Sequence, residues 1–173
     1  SATVVYTNEA IHFSGSESND PDGVIVTYFW NFGDGTNATG KEVDHAYAEN
    51  NTYIVTLTIT DDDGATGTAT STTRVLNRAP VASFTESAQT VYTNEIITFN
   101  ASSSYDTDGT IIGYFWNFGD GTNSTQVAPN HAYVENGTYT VTLTVTDNDN
   151  VSSTKSATKT VLNRPPVASF TES

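Results

Sequence analysis

"TYTVTLTVT", residues 138–146, alternates without a break. Tyr139, Val141, Leu143 and Val145 fall on one face and Thr140, Thr142, Thr144 and Thr146 on the other, the two-residue period of a half-buried strand. Threonine is β-branched, so even the polar face favours extended backbone. Outward from this run, the other runs are also short and rich in Thr, Val, Tyr and Phe. Turn signals part them: "DPDG" at 20, "GDGT" at 33, "ENN" at 49 and "DDDG" at 61, with counterparts later in the chain. No stretch carries a helical period. About seven strands in roughly 85 residues predict a small antiparallel β-sandwich.

The chain repeats itself. At an offset of 86 residues "YFWNFGDGTN" (28–37) meets the same ten residues at 114–123, and "HAY" at 45 meets "HAY" at 131. Roughly 60% of aligned positions are identical, and a period this long makes each repeat a whole domain, since solenoid units run to about 20–50 residues. Trp30 and Trp116 take the middle-strand place where an immunoglobulin-like sandwich buries a Trp. Tyr53 and Tyr139, opening the long alternating strand after a turn, are candidates for its tyrosine corner.

Six Lys and Arg stand against 20 Asp and Glu, for a net charge of −14. Such a surface excludes nucleic acid, whose binding rests on cationic side chains, and makes cations the natural small partners. With no Cys, each core must hold by burial alone. No transmembrane segment or signal peptide is legible, and a start at Ser is expected of a mature or excerpted piece.

"SNDPDGVIVTYFWNFGDGT", "HAY" and "NNTYIVTLTITDDDG", with the second copy "SYDTDGTIIGYFWNFGDGT" and "HAYVENGTYTVTLTVTDND", resemble the PKD (polycystic kidney disease) domain over nearly the whole chain. The resemblance implies an all-β pair of tandem immunoglobulin-like sandwiches. It also implies an extracellular or cell-surface role as a spacer or adhesive module, as in archaeal surface-layer proteins or beside the catalytic domains of secreted hydrolases. Asn31 and Asn117 depart from the Asp that many members carry after the Trp.

In that family the first strand is the "PVASF" segment. Residues 1–78 then read as a domain lacking its own first strand and 79–163 as a complete one. Residues 164–173, "RPPVASFTES", read as the first strand of a following domain or a donor strand for the next subunit. Burying a Val and a Phe contributes about 1.5–3 kcal/mol each, a large share of the roughly 5–15 kcal/mol that holds a small domain. Pro166, Val167, Ala168, Ser169 and Phe170 are therefore the expected contact to another repeat or subunit, by strand addition at an open sheet edge. Phe29 and Phe115, placed outward by alternation, join them as candidates, or are plain exposed aromatics.

An immunoglobulin-like topology brings Asp20 and Asp22 toward Asp61 and Asp63, and Asp106 and Asp108 toward Asp147 and Asp149. Such acids suit calcium, as in some PKD domains, but also serve as turn formers bonding local N–H groups, or as partners of linker Arg78 or Arg164. Sequons for N-linked glycans occur at Asn37, Asn50, Asn100, Asn123, Asn136 and Asn150. No catalytic residues are assigned: His45 and His131 copy one structural position, and no nucleophile elbow or phosphate loop is present. The expected function is a non-enzymatic structural module of a head-to-tail filament or repeat array, the partners being copies of the chain itself. The alternative is an accessory polysaccharide- or protein-binding module of a secreted hydrolase or adhesin.

Overall fold

The computed structural model describes residues 3–172, which divide into two compact units with the boundary between Arg78 and Ala79. In unit 1 the strands are β1 (Thr3–Tyr6), β2 (Ala10–Ser14), β3 (Ile25–Asn31), β4 (Asn37–Thr39), β5 (Glu42–Ala46), β6 (Asn51–Asp61) and β7 (Thr66–Leu76). A five-stranded sheet runs β1-β7-β6-β3-β4, and a two-stranded sheet of β2 and β5 makes the second layer. Among the described residues of unit 1 only the β1–β7 pair is parallel. The alternation of the long run is what the sheet uses, for Tyr53, Val55 and Leu57 are buried while Ile54 faces out.

Unit 2 repeats the plan with β8 (Thr85–Glu86), β9 (Thr90–Tyr92), β10 (Ile96–Asn100), β11 (Ile111–Asn117), β12 (Asn123–Ser124), β13 (Asn130–Ala132), β14 (Gly137–Asp147) and β15 (Ser152–Leu162). Its large sheet is β12-β11-β14-β15-β9, again with one parallel pair, and its small sheet is β13-β10-β8. The small sheet thus has three strands where that of unit 1 has two. The extra strand is β8, from the segment that follows "RAPVASF".

Each unit has its own core across the two layers. Trp116 is fully buried, 5.4 Å from Phe99 and 5.1 Å from Phe84 by ring centroids, and its indole N–H donates to the Gln126 carbonyl at 2.9 Å. Trp30 is buried likewise, 5.7 Å from Phe13, with its N–H on the Gly40 carbonyl. The tyrosine corners form: Tyr53 and Tyr139 donate to the carbonyls four residues upstream, Glu49 and Glu135, at 2.9 Å. Residues 163–172 carry no strand, because nothing else in the described chain pairs with them.

Candidate functional site: an open strand seat

In unit 2 the first segment has a full set of partners. Val81 and Tyr105 exchange backbone hydrogen bonds at 2.7 and 3.2 Å, and the Ser104 hydroxyl receives the Ser83 N–H at 3.0 Å while donating to the Ser83 carbonyl at 2.8 Å. Phe84 then enters the core against Phe99 and Trp116, and the Lys155 ammonium lies 5.5 Å from its ring centre. Glu86 turns inward to the amine of Lys159, which is 0% exposed. Phe99, Trp116, Leu143 and Val145 are sealed as a result.

Unit 1 has the same seat without the strand. A groove of about 420 Å³ opens beside Phe13, Trp30, Leu57, Ser18, Gly15 and Ala69. Phe13, Trp30, Leu57 and Ser18 are the counterparts of Phe99, Trp116, Leu143 and Ser104, 86 residues on. Phe13 and Ile59 are only half-buried where Phe99 and Val145 are fully so. Meanwhile Val167 is 94% and Phe170 85% exposed in the unpaired "PPVASF" segment. Pro166, Ala168 and Ser169 are exposed with them. Apolar groups this open, in a chain that also carries an empty apolar groove, are what a strand-donating surface requires.

"GDGT" and "HAY" build a structural stack. Gly33 and Gly119 take φ of 82° and 84°, and a Cβ on either would meet the backbone oxygen of Ile54 or Thr140 at 2.7 Å. Asp34 accepts Thr36 N–H and O–H at 2.9 and 2.6 Å and meets His45 Nε2 at 2.8 Å. Asp120 does the same with Thr122 and His131. Each imidazole stacks on Phe32 or Phe118 at 3.9 or 4.1 Å and meets Tyr47 or Tyr133 edge-on. Asn31 and Asn117, the departures from Asp, accept the N–H of Gly33 and Gly119 at 2.9 Å. His12, with no repeated role, lies exposed on Asp44 at 2.8 Å.

Burial pushes the Asp34 and Asp120 carboxyls up, but the Thr and His bonds outweigh it and leave both below the ordinary 3.8. A depressed native pKa gives stability that is complete above the unfolded pKa and lost as pH falls through the native one. Asp120→Asn should therefore cost unit 2 about 1–2 kcal/mol at pH 7 and flatten its loss of stability between about pH 5 and 2. Urea unfolding across that range measures it; an unchanged acid slope would refute the role.

The acidic loops sit in turn geometry. Asp61 accepts Ala65 N–H at 2.8 Å, and Asp147, fully buried, accepts Asp149 and Val151 N–H at 2.9 and 2.8 Å. Asp20 and Asp106 receive the longer bonds of Asp22 and Asp108 N–H at 3.4 Å. Their carboxyls are pushed up by burial and by the charges of Asp22 with Asp61, and Asp108 with Asp147. The loop is closed by a residue not singled out in the sequence: Asp62 accepts Val24 N–H at 3.0 Å, and its counterpart Asn148 accepts Thr110 N–H at 2.7 Å. Asp63 and Asp149 flank these closers. Among the described residues no group of three or more His, Cys, Asp or Glu side chains is arranged to hold a metal ion.

The PKD domain profile matches residues 1–75 and again 77–161. The chain belongs to the PKD domain family. It is 46% identical over 76 residues to "Collagenase ColA" of Bacillus cereus, covering 44% of this chain and 8% of that protein. To "Pre-pro-metalloprotease PrtV" of Vibrio cholerae it is 43% identical over 82 residues, covering 47% and 8%. The chain thus spans about a twelfth of those relatives' length. Among solved structures, the PKD1 domain of Vibrio anguillarum Epp is 35% identical over 51% of this chain and all of that one, with a TM-score of 0.45. The pair of PKD units is an extracellular module.

Each PKD unit also holds the residue that leads out of it. The Arg78 guanidinium meets Glu9 at 2.5 Å and lies 4.5 Å over the Tyr6 ring, and Arg164 meets Glu95 at 2.6 Å and lies 5.4 Å over Tyr92. Glu9 accepts the Tyr6 N–H and, with Arg78 beside it, titrates below its ordinary range. Each linker arginine therefore binds the unit it leaves. Of the sequon residues, Asn37, Asn100, Asn123, Asn136 and Asn150 are exposed and Asn50 is half-buried. Asn100 also accepts Ser102 N–H at 2.9 Å, and Asn150 adopts a φ of 63°. Phe29 and Phe115 lie on the outer sheet faces, 41% and 44% exposed, opposite Thr58 and Thr144. Among the described residues no helix is long and apolar enough to cross a membrane.

Proposed function

We propose that this pair of PKD units is a structural module of an extracellular assembly built head to tail, in which residues 166–170 of one copy lie in the unit 1 groove of the next. One observation carries the reading: the groove beside Phe13 and Trp30 repeats the site that Phe84 fills between Phe99 and Trp116. In the docked strand Phe170 corresponds to Phe84, Val167 to Val81 and Ser169 to Ser83, with Ser18 available where Ser104 holds Ser83. The contact joins two different surfaces, so its repetition need not close and extends into a filament.

Sedimentation and negative-stain electron microscopy test it. The chain should form concentration-dependent linear oligomers, and Phe170→Ala should shift the association constant by about a hundredfold or more, as expected for losing roughly 3 kcal/mol of a buried Phe. A chain that stays monomeric at millimolar concentration would sink the proposal. A second reading, an accessory binding module of a secreted hydrolase or adhesin for protein or polysaccharide, is supported by the collagenase and metalloprotease relatives and by Phe29 and Phe115 on Thr-rich faces. Binding to insoluble collagen or polysaccharide that is lost in Phe29→Ser with Phe115→Ser would favour it.

A further inference from the structure

The two strand seats differ in charge. In unit 2 the incoming strand meets two cations: Lys155 over the Phe84 ring and Lys159 on the Glu86 carboxylate. Eighty-six residues earlier the same positions of unit 1 are Ala69 and Thr73. Thr73 is buried, 1% exposed. Glu17 lines the groove where unit 2 has Ser103, so a carboxylate has been added where two ammonium groups are lost.

No cation of unit 1 replaces them. Arg74 adjoins Thr73 on β7, so alternation turns it to the opposite face, where it is exposed. Arg78 is held by Glu9 and Tyr6. Lys41 precedes β5, which pairs with β2 on the edge away from the seat. A strand laid into unit 1 in the register of β8 puts Glu172 where Glu86 stands, opposite Phe13 and beside Thr73. A carboxylate entering there gives up water for a site with no positive charge.

We infer that Thr73 sets which strand unit 1 accepts: the groove selects a strand whose second residue after the Phe is uncharged, and the Glu172-bearing segment of a second copy is a weakly held, exchangeable occupant. Lys159 has the opposite effect in unit 2, pinning the Glu86 strand at home so that it is not the one exchanged. Head-to-tail contacts in this chain are then reversible by construction. The inference rests on the strand-donation reading and deepens it by naming the side chain that tunes the contact.

Labelled peptides of residues 164–173, native and Glu172→Gln, titrated by fluorescence anisotropy into the full chain, provide the test. On the native protein the Gln peptide should bind about tenfold more tightly than the Glu peptide. On Thr73→Lys the order should reverse, because the new ammonium pairs with Glu172 as Lys159 does with Glu86. Equal binding of the two peptides to the native protein overturns the inference while leaving strand donation intact, and this arm needs no folded variant. Binding of neither peptide overturns both. A Phe170→Ala peptide that binds as well as the native one removes strand donation itself, since the Phe would not be in the groove.

Discussion

Lys159→Ala should lower the unfolding free energy of unit 2 by about 3–5 kcal/mol and leave unit 1 unchanged. The amine of Lys159 is fully buried and its partner Glu86 is 23% exposed on the side chain, so removing the lysine leaves a largely dehydrated carboxylate with no counter-charge. Glu86 also lies close enough to Tyr133 for its charge to add to the burial that raises that phenol, so the unpaired acid would face a buried aromatic as well. Removing both charges is a different experiment. Lys159→Met with Glu86→Leu should recover most of the loss, because the cost lies in the unpaired ion and not in the absence of the pair. Denaturant unfolding with Trp116 as reporter measures both. A loss below about 1 kcal/mol for Lys159→Ala would mean that Glu86 reaches water and that the pair behaves as a surface one.

Much of this was legible as alternation and repetition. The run 138–146 states its buried and open faces residue by residue, and the 86-residue register says which positions of the two units correspond. Lys159 was less legible because a lysine reads as solvent-facing by composition. The signal lay in its phase: Ala157, Lys159 and Val161 fall on one side of β15, and two of the three are buried. The arginine clamps were missed for a different reason. Arg78 and Glu9 are 69 residues apart, and only their joint recurrence as Arg164 and Glu95 marks them as a pair. At the acidic loops the sequence did not single out the closer, since the acceptor for the facing loop is set by the turn's backbone and falls on Asp62 and Asn148. Residues 164–172 pair with no strand of the described chain, so alternation alone gives their conformation nothing to settle on.

Unit 1 should melt well below unit 2 in dilute solution, by about 10–20 °C. The strand it lacks contributes burial of Phe84 in unit 2, about 1.5–3 kcal/mol, while Val81 stays exposed, and one kcal/mol moves the midpoint of a domain this small by about 4–8 °C. One tryptophan in each unit makes the comparison direct: Trp30→Phe leaves Trp116 to report unit 2, and Trp116→Phe leaves Trp30 to report unit 1. Truncation of the core indole costs some stability itself, so the Trp-to-Phe variants are read beside calorimetry of the native chain, which should show two transitions. Phe84→Ala should bring the upper transition down toward the lower one by about 3–5 kcal/mol of stability, since it opens in unit 2 the space that unit 1 already has. Saturating 164–173 peptide should raise only the lower transition, by mass action on the folded groove. Coincident midpoints at low concentration, unmoved by peptide, would mean that unit 1 closes over its own groove, and the open seat would then have no part in binding a strand.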